Sequence, residues 1–162
     1  MRNRQKGFSL IELLIVVAII LIIAAIAIPN LLRSKMAANE SSAVGSMRTI
    51  NTAEVSYVTA YPNQGFSANL PSLGGVAPCL VATTAAACLI DNTLALATGA
   101  ATAKSGYWFG YAAAGAPPTT YTMNGLPSLA GSTGQRGFFT DQTGVIRYAI
   151  TGAATVASSP IN

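Results

Sequence analysis

One carboxylate stands in an otherwise unbroken apolar run. Glu12 lies in the segment Gly7-Phe8-Ser9-Leu10-Ile11-Glu12, behind three cations, Arg2, Arg4 and Lys6. Ahead of it Leu, Ile, Val and Ala continue almost without break to Leu32. A carboxylate inside lipid costs about 2.5–3.5 kcal/mol on insertion scales, so such an acid calls for a partner. The apolar stretch offers no cation nearby, which places the partner on another molecule and points to assembly rather than catalysis. The means for catalysis are few. The chain has no histidine, and its other acids, Glu40, Glu54, Asp91 and Asp141, are well separated. Glu40 and Glu54 fall fourteen residues apart on one expected helix, too far to share a proton. Gly74-Gly75 follows no strand and reads as a loop break rather than a phosphate cradle. The expectation is a non-enzymatic chain with no cofactor.

The remaining reactive groups lie beyond the apolar run. Arg2, Arg4 and Lys6 hold the amino terminus in the cytoplasm by the positive-inside rule, so the rest of the chain is sent outward. In an oxidising compartment Cys79 and Cys88 read as a disulfide closing a short loop, the other reading being two free buried thiols. Their spacing is not that of a zinc site, and no histidine is available to complete one. A calcium ion wants several oxygens, usually with two or more carboxylates. Asp91 near the cysteine loop and Asp141 in its own turn each supply one, so both are weak candidates and no metal is expected. The alternative for Asp141 is a turn residue bonding its own backbone, and for Asp91 a helix cap or a solvated loop residue.

Charge narrows the partners. Nine Lys and Arg stand against five Asp and Glu, but three of the nine lie in residues 1–7, and without them the balance is six against five. The basic character is therefore mostly a targeting feature, and Lys104, Arg136 and Arg147 are too scattered to imply nucleic acid.

Lys6-Gly7-Phe8-Ser9-Leu10-Ile11-Glu12, continuing through Leu13-Leu14-Ile15-Val16-Val17-Ala18-Ile19-Ile20 to Ala27-Ile28-Pro29, resembles the amino-terminal signature of the type IV pilin family. The resemblance covers about the first 35 residues. It implies that a prepilin peptidase cuts after Gly7 and methylates the new terminus at Phe8. It also implies that Glu12 neutralises the terminal amine of a neighbouring subunit and so fixes axial register. Residues 1–7 would be a cleaved leader, 8–32 a membrane and later filament-core helix, and 33–162 a globular head. The partners implied are further copies of the chain in a helical filament, the peptidase and assembly machinery, and the inner membrane before assembly. The location implied is that membrane for the precursor and the cell surface for the filament. A type IVa-like major pilin is the first reading, with adhesion, twitching motility or DNA uptake as its downstream uses. A type II secretion pseudopilin is the second, and a membrane-anchored periplasmic binding module the third.

These residues need elements to position them. The pattern predicts one helix from Phe8 to about Tyr61, apolar all round in its first half and amphipathic beyond Asn30. Pro29 lacks a backbone donor, so a kink or unwound turn is expected near residues 25–29; Leu21, where many pilins have glycine, favours a continuous helix. An apolar stripe of Val44, Met47, Ile50, Val55, Tyr57, Val58 and Tyr61 should pack on a sheet, with Arg33, Lys35, Asn39, Glu40 and Arg48 on the polar side. Residues 62–105 read as a variable surface loop, with a short helix across Ala85–Ala87 and Leu89–Leu96. Strands are predicted at Tyr107–Ala112, Thr119–Met123, Arg136–Thr140 and Val145–Ala149, the last two joined by Asp141-Gln142-Thr143-Gly144. The tail from Thr151 is expected to be irregular. The fold class is α+β, with one long helix on three or four antiparallel strands and the aromatic residues in its core.

Overall fold

The computed structural model describes residues 8–76 and 78–161. The chain divides into two compact units, the first ending at Lys35 and the second beginning at Met36. Helix α1 (Leu10–Ala60) contributes to both and runs through Pro29 without an unwound turn. It ends where Pro62 can donate no further bond: the Tyr61 N–H still reaches the Tyr57 carbonyl at 2.8 Å, and the chain then turns. Gly65, at φ +68°, completes that turn because a Cβ there would lie 2.0 Å from the Pro118 carbonyl oxygen.

In the first unit α1 is exposed on every side. Its most apolar 18-residue window has a mean hydropathy of 3.3 and no buried residue, so the helix is long and apolar enough to cross a membrane.

In the second unit α1 packs against an antiparallel sheet of five strands in the order β1 (Tyr107–Gly115), β2 (Pro118–Pro127), β3 (Gly137–Asp141), β4 (Arg147–Ala149) and β5 (Ser159–Pro160). Alternation sets the sheet's faces: Tyr107, Phe109, Met123 and Phe138 are fully buried on the helix side. Gly125 makes room for the helix, since a Cβ there would meet the Met47 sulfur at 3.3 Å. The core-facing seam of α1 is Glu40, Ala43, Met47, Ile50, Glu54 and Tyr57, at three- and four-residue spacing. This corrects the expected stripe. Val55 falls off that face and is 66% exposed, while two glutamates lie on it.

Two further corrections concern segments read as irregular. Residues 62–105 fill the core's flank: Leu70, Leu73, Leu94, Ala95 and Ala97 are buried. A 3₁₀ turn at Leu70–Leu73, capped by Asn69, and a single-turn helix α2 (Asn92–Ala95) carry them inward. The expected helix over 85–96 shortens to α2 because Thr83 and Ala86 pair in a tight turn instead. The same segment covers the β1 edge, with the Phe109 N–H bonded to the Ala97 carbonyl at 2.7 Å. The tail supplies the fifth strand, Arg147 pairing with Pro160 and Tyr148 with Ser159. Before it, the Gly152 carbonyl crosses Gly137 so closely that a Cβ on Gly137 would lie 2.0 Å from it.

Candidate functional site

The residues that could drive assembly sit at the first turn of α1. Phe8 is 77% exposed and precedes Ser9, which takes the position of an N-cap. Glu12, three residues on, turns its carboxylate back to accept the Ser9 N–H at 3.0 Å, one half of a capping box. A carboxylate in this position also complements the positive end of the helix dipole. Gly7 and the cations Arg2, Arg4 and Lys6 lie outside the described residues.

The other predicted positions serve local structure. Cys79 and Cys88 are bonded, with Cα atoms 6.2 Å apart. The loop they close is laced to residues 72–74, the Ala87, Cys88 and Leu89 N–H groups each donating to a carbonyl there at 2.8 Å. Asp91 caps α2 through the Leu94 N–H at 2.8 Å and also holds the Thr93 hydroxyl. The Thr93 hydroxyl, together with the Leu94 N–H, holds this carboxyl below its ordinary value against the effect of burial. Asp141 accepts the Thr143 N–H at 2.9 Å within the β3–β4 turn. Both carboxylates are thus engaged as a cap and a turn, and among the described residues no group of three or more metal-ligating side chains gathers.

Two buried acids went unread in the sequence. Glu40 accepts the N–H groups of Gln135 and Arg136 at 2.9 and 3.1 Å, and the Arg136 guanidinium Nε donates to it at 2.7 Å. Burial alone would push this carboxyl up, but those three donors together hold it below its ordinary value. The Arg136 guanidinium lies 5.7 Å from the ring centres of both Phe138 and Tyr148, which fixes its direction. Glu54 is fully buried; it accepts the Ser67 N–H at 3.0 Å and the Ser67 hydroxyl at 2.6 Å. Tyr111 donates to the Ser67 carbonyl at 3.0 Å, and burial, with Glu54 nearby, raises its hydroxyl pKa well above the ordinary tyrosine value. The signal for both acids was their spacing, in phase with Met47, Ile50 and Tyr57 on α1.

Residues 2–28 match the family described as the prokaryotic N-terminal methylation motif. Over 54 residues the chain is 48% identical to the type IV major pilin protein PilA of Myxococcus xanthus, a match covering 33% of this chain and 24% of that one. It is 63% identical over 41 residues to the type IV wide pilus major component of Thermus thermophilus, covering 25% and 30%. The amino-terminal segment is similar to that of type IV pilins. A third relative, the type IV major fimbrial protein FimA of Dichelobacter nodosus, is 54% identical over 52 residues, covering 30% and 33%. The matches span about a quarter to a third of the length of these curated relatives. No solved structure matches the chain significantly. The pilin-type likeness therefore bears on the part that holds Phe8 and Glu12, and the five-stranded sheet of the second unit is described from its own residues.

Proposed function

We propose that this chain is the structural subunit of a type IV pilus. In this reading a prepilin peptidase removes residues 1–7 by cutting after Gly7 and methylates Phe8. Residues 8–32 hold the subunit in the inner membrane and then form the filament core, and residues 33–162 form the head on the cell surface. Glu12 pairs with the terminal amine of a neighbouring subunit. An ammonium and a carboxylate buried apart are each costly and together are tolerable, so the pair acts as a register device more than as a source of net stability. The observation that carries this reading is an exposed apolar helix bearing one carboxylate in its first turn, within a segment that matches the methylation motif.

Intact mass and amino-terminal sequencing of protein sheared from whole cells test it. A filament fraction beginning at N-methyl-Phe8, lighter by two hydrogens for the Cys79–Cys88 bond, is the expected result. A chain that begins at Met1 and stays with the membranes overturns the reading in favour of a simple anchor. A processed chain that never leaves the envelope moves it to a secretion pseudopilus.

A further inference from the structure

An open concavity of about 280 Å³ lies within the second unit, between α1 and the residue that precedes β3, with both Arg48 and Arg136 on its wall. The carboxylate on that wall, Glu40, is already committed. One of its oxygens takes the Gln135 and Arg136 N–H groups, and the other takes the Arg136 Nε at 2.7 Å. This leaves the terminal nitrogens of Arg136 unused by Glu40, on a guanidinium that the Phe138 and Tyr148 rings hold in direction. Among the described residues Arg136–Glu40 is the only ion pair, so Arg48 faces no carboxylate. Glu54, Asp91 and Asp141 are engaged elsewhere, by Ser67, Leu94 and Thr143. Two cations against one acid leave the concavity with a positive excess.

Gly45 is on the same wall. Inside a helix glycine is less favourable than alanine, and neither a turn nor packing calls for it here. Nothing lies within 4 Å of the place its Cβ would take, whereas a Cβ at Gly125 or Gly137 would meet a neighbour. Its missing side chain leaves the α1 backbone open to the concavity. Ser41, one turn earlier, is exposed there too. The hydroxyls of Thr49, Thr52, Ser56 and Thr59 bond back to the carbonyl four residues before, and that of Ser41 makes no such bond. Val44 and Ile161 add an apolar margin, Ile161 being held by its N–H on the Ile146 carbonyl at 2.8 Å.

We propose that this concavity binds a phosphate group, with Arg48 and Arg136 as its cations and Ser41 as a further donor. Guanidinium forks match the oxygens of such anions. A planar carboxylate is satisfied by one fork, whereas a tetrahedral phosphate can meet donors from separate elements. The space is wider than phosphate alone would fill, and the apolar margin suits the carbon chain of an ester. The site lies wholly in the second unit and does not depend on whether subunits assemble.

The test uses the nitrogen-labelled full chain in uncharged detergent micelles, titrated with inorganic phosphate, glycerol phosphate, acetate and chloride at matched ionic strength. The Gly45 amide and the Arg48 and Arg136 Nε–H resonances are followed by NMR. Saturable shifts with both phosphates, beyond those with chloride, are expected. Arg48→Gln should weaken binding by about fivefold, the scale of one exposed charge pair. Gly45→Ala should also weaken it while raising the melting temperature, so damage to the fold cannot explain the loss. Tighter binding of the ester assigns an esterified phosphate, and equal binding assigns the free ion. Shifts that coincide with those of chloride, tighter binding of acetate, or undiminished binding by Arg48→Gln would each overturn the proposal.

Discussion

Glu54 carries a carboxylate into the core with no cation paired to it among the described residues, only the Ser67 N–H and hydroxyl. Replacing it by alanine strands both donors, and bonds to a charged acceptor contribute about 1.5–3 kcal/mol each. Glu54→Ala is expected to lower stability by about 3 kcal/mol in urea unfolding of the full chain in micelles, and Glu54→Gln by less, because one acceptor remains. A loss for Glu54→Ala no greater than that of an exposed control such as Val55→Ala would contradict this. Glu40 makes the complementary pH prediction. Its folded carboxyl lies below its unfolded value, near 4.3. Its contribution is therefore present above the unfolded pKa and is lost as pH falls through the lower folded one. The stability gap between the wild type and Glu40→Gln should be constant near neutrality and close below about pH 4. Neither acid was legible as a core residue, because composition counts a glutamate as polar surface and only the phase of α1 places it inside.

At the scale of elements, what was legible was periodic. The long helix and the β3–β4 hairpin follow from apolar spacing and an Asp-Gln-Thr-Gly turn, because those signals are local in the chain. The segment 62–105 is rich in Ala, Thr, Ser and Gly, whose small side chains carry no clear period. It enters the core through single residues such as Leu70 and Leu94, placed by the Asn69 and Asp91 caps. The disulfide closes a loop of ten residues within it. In the chain-entropy model such a loop contributes about 2–3 kcal/mol. The C79S/C88S double variant should show a loss of that size in the same unfolding assay, with the sheet's circular dichroism unchanged. A second element-scale expectation concerns the tail. Gly137→Ala drives a methyl into the Gly152 carbonyl, and overpacking of this kind costs about 1–3 kcal/mol. Amide exchange should then rise first at Ile161, whose N–H bonds the Ile146 carbonyl beside β5.

For the whole molecule, the proposed function asks the apolar segment of α1 to satisfy two environments in turn, lipid and then a bundle of like helices. Leucine at position 12 suits the first better than glutamate, by about 2.5–3.5 kcal/mol on insertion scales. The modest local role of Glu12, accepting the Ser9 N–H, does not offset that, since an N-terminal capping contact contributes about 1 kcal/mol. Under the proposed function the remainder is recovered in the assembled state, where a neighbouring subunit's terminal amine would meet the carboxylate. Glu12→Leu should therefore separate the two stages. The membrane-fraction pool of processed subunit should be undiminished or larger, while the sheared filament fraction falls by at least tenfold. Quantitative immunoblotting of the two fractions reads both. Filaments formed at the wild-type level by Glu12→Leu would show that the carboxylate has no partner in the assembly, and the case for it as the register-setting residue would be lost.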